Sequence, residues 1–141
     1  NNMEHVVYCD SKNNELDKII NKEKTMLIRA NQSRRIPHSR VFKGEKLYFT
    51  NKNSNVINYE AEVKEVYNYN KLFNHEIDKI VNNYNEKLCL DDKEKEKNHK
   101  KCLCLVEFEN LKKCDEIKIN PQASLVDWII LNDIEDIKQK N

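Results

Sequence analysis

The sequence predicts an α+β fold in which a small mixed β-barrel, or a strongly bent sheet, carries flanking helices. Two observations predict it. Extended segments stand far apart in the chain, and amphipathic helical segments are inserted between them. There are no internal repeats, and 141 residues suit one domain spanning 1–141.

The elements follow in order. Residues 5–9, HVVYC, read as a short strand. DSKNNELDKIINKEK follows as a helix, with Ser11 and Asn13 as capping candidates. Leu16, Ile19 and Ile20 make its apolar stripe. TMLIR, 25–29, reads as extended. ANQSRRIPHSRV has loop composition, and Pro37 biases Ile36 away from helix. KGEK holds the only glycine, Gly44, and reads as a turn. KLYFT, 46–50, is a strand with Leu47 and Phe49 on one face, and NKNSN is a further turn. Residues 56–66 alternate: Ile57, Tyr59, Ala61 and Val63 face one way, Asn58, Glu60, Glu62 and Lys64 the other. HEIDKIVNNYNEKL, 75–88, is an amphipathic helix with the stripe Ile77, Ile80, Val81, Tyr84 and Leu88. The charge run DDKEKEKNHKK, 91–101, reads as a solvated helix or loop. CLCLVEFE, 102–109, is a buried strand, and EIKI, 116–119, a separate strand stopped by Pro121. SLVDWIILNDIEDI supplies a helical turn, a strand and a short tail.

Composition excludes several classes. Net charge is +1, so no global field recruits nucleic acid or a membrane surface. No run of about 18 apolar residues exists to span a bilayer. No signal peptide is visible, and the odd count of five cysteines points to reduced thiols, hence to a cytoplasmic protein. Cys102 and Cys104 share a face of an extended segment and read as small buried hydrophobes. Cys9, Cys89 and Cys114 supply no second close pair, and the four histidines are scattered, so no metal site is expected. One glycine cannot build a glycine-rich phosphate loop, and no cofactor is expected.

The charge distribution is more informative than its sum. All four arginines, Arg29, Arg34, Arg35 and Arg40, lie within twelve positions of a chain that elsewhere uses lysine. Between Lys24 and Lys43 there are six cations and no Asp or Glu, so the remaining residues carry −5 together. Arginine differs from lysine in binding phosphate bidentately and stacking on bases. The segment, Lys24 included, is therefore the candidate contact surface for nucleic acid or a nucleotide. A solvated loop, with Arg29 salt-bridged to a structural acid, is the plainer reading. Arg34 and Arg35 are adjacent and should point in different directions. His38 could bond a base or phosphate, or simply be an exposed loop histidine. Trp128 could stack on a base, although Val126, Ile129 and Ile130 beside it favour packing. Tyr67 and Tyr69 pose the same choice.

The order helix, NKEKTMLIR, basic loop, KGEKLYF, long alternating strand, helix, CLVEFEN resembles the ASCH domain of the PUA-like superfamily. The resemblance covers roughly residues 5–110. The ASCH hallmark G-x-K-x-x-E-x-R falls on Lys22 to Arg29. Its Lys and Arg match at Lys24 and Arg29, while its Gly is Lys22 and its Glu is Leu27. The tail SLVDWIILNDI resembles a C-terminal extension of bacterial relatives, here 121–141. The resemblance implies a PUA-like barrel whose cleft is lined by the hallmark Lys and Arg and binds RNA or modified bases. One ASCH branch resembles an amidohydrolase on an acylated cytidine; it relies on the hallmark Lys, a Thr at the Glu position and a later Glu, for which Glu76 and Glu86 are candidates by region. Leu27 puts that chemistry in doubt.

The expectation is thus an RNA- or modified-nucleotide-binding domain, non-catalytic, using Lys24, Arg29, Arg34, Arg35, His38, Arg40 and Trp128. Two alternatives stand beside it. One is an enzyme, a modified-nucleoside hydrolase or ribonuclease with Lys24 as base or charge stabiliser. The other is a protein-interaction module that docks an acidic partner on the basic loop.

Overall fold

The computed structural model describes residues 2–140. Six strands form one mixed sheet curled into a half-barrel. They are β1 (Glu4–Cys9), β2 (Met26–Asn31), β3 (Lys46–Asn51), β4 (Val56–Tyr69), β5 (Cys102–Lys118) and β6 (Trp128–Leu131). The spatial order is β2-β5-β4-β3-β1-β6. β1 and β3 are parallel and the other pairs antiparallel. Helix α1 (Glu15–Ile20) follows β1; α2 (Asn74–Leu88) and α3 (Asp92–Glu96) lie between β4 and β5.

Side-chain alternation sorts the strands into an inner and an outer face. The inner face holds Val7 and Cys9, Leu27, Leu47 and Phe49, Ala61 and Val63, Cys104, Val106 and Phe108, and Trp128. Ile19 of α1 is fully buried against this core, with Leu16 packed beside it. On the outer face, Met26, Ile28, Leu103 and Leu105 pack under Ile77, Val81 and Leu88 of α2. A second outer cluster joins Val6, Tyr8, Tyr48 and Ile57 to Ile119 and Ile134 near the C-terminus. The sheet is thus covered on both faces along much of its width, which is why several strands read as continuous apolar runs.

Three sequence expectations change. The segments 102–109 and 116–119 are one strand of 17 residues, β5. Polar NLKKCD continues it because β4 is long enough to pair throughout, with bulges near Ile57/Tyr59, Glu60/Glu62 and Val63/Glu65. The bulges also split the expected face of β4: Ala61 and Val63 are inner, whereas Ile57 joins the outer cluster. Neither Ser11 nor Asn13 caps α1; its N-cap is Asn14, left-handed at φ 55°. Asp10 instead organises this turn, accepting from Lys12 N and Asn13 Nδ2.

Candidate functional site

A cleft of about 580 Å³ opens between the β1–α1 turn, the end of β2 and helix α3. Its floor is built by three charged side chains from three consecutive elements. Glu15 begins α1, Lys24 ends the turn after it, and Arg29 stands on β2. Arg29 lies two residues beyond Leu27, so it belongs to the inner row and sits where the apolar core ends.

Arg29 is almost completely engaged. Its Nη1 and Nη2 each lie 3.3 Å from a different oxygen of Glu15, the two-pronged match of guanidinium to carboxylate. Nη1 also donates to Ile28 O at 2.9 Å and Nη2 to Tyr8 O at 3.3 Å. Nε is buried without a hydrogen-bond acceptor, although Asp127 Oδ2 is 3.6 Å away. The guanidinium carbon lies 5.7 Å from the Trp128 ring centroid. Burial opposes the charge on Arg29, but Glu15 and Asp127 outweigh it and hold the group protonated. Burial alone would raise the Glu15 carboxyl; Arg29 and Lys24 instead bring it below its ordinary value.

Lys24 is 2% exposed. Its Nζ donates to Leu88 O at 2.7 Å, in the last turn of α2, where carbonyls are otherwise orphaned. Glu15 Oε2 lies 4.0 Å away, too far for a hydrogen bond. Among the described residues the ammonium thus makes one hydrogen bond of the three it can donate. Burial pushes its pKa down, and Glu15 restores part of the shift.

Trp128 is 4% exposed, in the inner core beneath Arg29. Its Nε1 donates to His5 Nδ1 at 3.0 Å, and His5 Nε2 lies 2.9 Å from Glu45 Oε1. Trp is donor only, which assigns the His5 proton to Nε2 and makes the ring neutral. Burial accordingly lowers the His5 pKa against the pull of Glu45. The indole is committed to packing and to this relay, not to a cleft mouth.

The rest of the arginine segment lies elsewhere. Lys24 and Arg29 line the cleft; Arg34, Arg35 and Arg40 do not. These three are exposed and have no carboxylate partner among the described residues. His38 is not an exposed loop histidine: it is 5% exposed, 3.1 Å from Tyr69 O through Nε2 and 2.8 Å from Ser39 Oγ through Nδ1. It anchors the loop to the end of β4 through these two contacts. Tyr67 packs on Tyr84 of α2 at a centroid distance of 5.2 Å, and Tyr69 joins the same cluster. Glu76 is spent on the N-terminus of α2, where it accepts from Phe73 N.

Sequence reasoning missed Glu15. Leu27 is fully buried and apolar, and the carboxylate beside Lys24 and Arg29 comes from α1 instead. The available signal was an acid beside the apolar stripe at the first position of the helix. The cleft rim adds Lys12, Lys52 and Lys97 against Asp10, Glu94 and Asp127. Opposite charges nearly balance there, so the cleft is polar rather than strongly basic. Among the described residues no cluster of His, Cys, Asp or Glu could hold a metal ion, and no helix is long and apolar enough to cross a membrane.

No family model matches the chain, and no curated protein does. Solved structures do. ASCH from Zymomonas mobilis superposes with TM-score 0.60 at 12% identity, covering 78% of this chain and 69% of that one. A Tyr-to-Phe variant of the same protein gives 0.61 at 12% identity over 82% and 75%. A Ser-to-Ala variant gives 0.70 at 12% identity over 94% and 91%. At such identity the likeness speaks for the backbone alone. Joined to the half-barrel order and to the covered sheet, it leads to one conclusion: the chain has an ASCH-like, PUA-like fold.

Proposed function

We propose that the cleft binds a nucleotide unit of RNA, or a modified nucleotide, without converting it. The observation that carries this reading is Lys24: a buried ammonium on the cleft floor with hydrogen-bond donors left over. A buried cation is costly unless its protons find acceptors. A base carbonyl or ring nitrogen offers such acceptors, and a volume of about 580 Å³ falls in the range of small-molecule sites. Arg29 acts here as the positioning residue that holds Glu15 and hence the floor. Lys12, Lys52 and Lys97 on the rim are placed for phosphate and ribose. The ASCH-like fold is consistent with this class of ligand. In this reading residues 1–141 act as one domain: segment 121–141 contributes β6, which pairs with β1. Five free thiols fit a cytoplasmic working place.

The test is equilibrium binding of mononucleotides, modified nucleosides and short RNA to wild type and to Lys24→Met. The side chains have similar length, and only the ammonium is lost. Wild-type binding that drops at least about tenfold in Lys24→Met, with melting temperature retained, is expected from losing one charged hydrogen bond. Equal binding by both proteins removes Lys24 from the site.

One observation favours a second reading. Lys24 Nζ lies on the cleft floor 4.0 Å from Glu15 Oε2, and burial lowers its pKa, the direction a proton-accepting amine needs. A hydrolase on a modified nucleoside would use that amine beside Glu15. Turnover of an acylated nucleoside, abolished in Lys24→Met while binding persists, would select this reading over the first.

A further inference from the structure

The cleft leaves three arginines without a role. The loop that carries them is held at several points. Ser39 N donates to Asn68 Oδ1 at 3.0 Å, and His38 is fastened to Tyr69 as above. Phe42 N donates to Glu45 Oε1 at 2.7 Å, and Gly44 N, at φ 90°, donates to Val63 O at 2.8 Å. Yet Phe42 leaves 60% of its surface in water. A single exposed apolar residue is ordinary. This one differs in its setting. It stands between Val41 and Lys43 on the wall of a separate groove of about 380 Å³. The opposite wall is β4, with Glu65, Val66 and Asn68. Arg40 and Lys43 flank the ring in sequence, exposed and without ion-pair partners among the described residues.

We propose that this groove is a second nucleotide seat, in which Phe42 stacks on a base of single-stranded RNA and Arg40 and Lys43 hold the adjacent phosphates. The proposal rests on the nucleotide reading of the cleft and adds the ligand's form: a strand reaching a second site, not a free nucleotide. Stacking on an exposed ring between cations is the usual chemistry of single-strand binding. A pinned backbone holds the ring in place before binding, which reduces the ordering cost. Glu65 also has no ion-pair partner among the described residues and can accept from an exocyclic amine, so adenine or cytosine suits the groove better than uracil. Asn68 Oδ1 is taken by Ser39, which leaves its amide protons for a base carbonyl or ring nitrogen.

The experiment compares a single-stranded RNA of about ten nucleotides, rich in A and C, with AMP and CMP. Proteins are wild type, Phe42→Ser, Phe42→Trp, the pair Arg40→Gln/Lys43→Gln, and Lys24→Met. Phe42→Ser should weaken strand binding about tenfold, and Phe42→Trp should retain it. The paired variant should lower the salt slope by about 1.4, or about 0.7 per phosphate on a single strand. Neither change should alter mononucleotide binding. Strand binding by Phe42→Ser equal to wild type overturns the proposal; if Lys24→Met is weakened in the same experiment, the cleft reading stands alone. If Phe42→Ser is weakened and Lys24→Met is not, the groove stands and the cleft reading falls. Binding lost only with the cations, and equal for Phe42→Ser and Phe42→Trp, marks a bare charged patch and also overturns it. No binding of either ligand by wild type removes both.

Discussion

Arg29 and Arg34 are five positions apart and live in different physical worlds. Arg29 is gripped by Glu15, two backbone carbonyls and the Trp128 ring, at the end of the inner core. Arg34, with Arg35 and Arg40, stands in water without a carboxylate partner among the described residues. One run of arginines in the sequence is therefore two devices in space. The first holds the fold, where a fixed fork of donors satisfies several acceptors at once. The second is a free charge reservoir on an anchored loop. Clustering in sequence reports a shared preference for arginine, not a shared partner.

This contrast can be broken most sharply at Arg29. Arg29→Met should destabilise the protein by about 3–5 kcal/mol, since Glu15 would stay buried without its partner. Urea unfolding measures it; a loss below about 1 kcal/mol would place Arg29 with the surface pairs instead. Trp128→Phe comes next. It keeps most of the packing but leaves His5 Nδ1 without its donor, at a cost of about 1–3 kcal/mol.

The same relay gives a pH dependence. The His5 pKa lies below its ordinary 6.5, so the unfolded chain takes up the proton first. Stability should be full above pH 6.5 and fall as pH drops from there toward the lowered value. The Glu15 carboxyl, also lowered, adds a second loss as pH falls below its ordinary 4.5. Melting temperatures from about pH 7.5 to about 5.5 test the first step. A flat profile there would mean that His5 takes up its proton alike in the folded and unfolded chain, and stability rising as pH falls would mean that His5 is charged in the fold.

Lys24→Met should change stability by less than about 1 kcal/mol, because the hydrogen bond lost and the buried charge removed oppose each other. The smallest effect belongs to Arg34→Ala with Arg35→Ala, within about 0.5 kcal/mol. Ligand binding should set Lys24→Met apart: small for stability, visible in affinity.

The half-barrel was legible because alternation in 56–66 and the stripe of α2 each report burial locally. The join of 102–109 to 116–119 was not, since NLKKCD is polar and only its pairing with bulged β4 keeps it extended. His38 misled for a related reason: loop composition suggests exposure, whereas its partner Tyr69 at the end of β4 lies 31 residues away. Glu15 was out of reach because an acid at a helix start is common, and its partner is set by how the turn folds back over β2. Of the candidate site, Lys24 was found by resemblance to the hallmark, and the groove beside Phe42 gave no signal.

Arg29 has one more consequence. β2 and β6 are the two ends of the sheet, and among the described residues no backbone ladder joins them. From β2, the Arg29 side chain reaches the Tyr8 carbonyl on β1 and comes near Asp127, just before β6. The half-barrel is thus laced by a side chain rather than welded by backbone bonds. Lacing has slack that a ladder lacks, and the cleft opens directly over it.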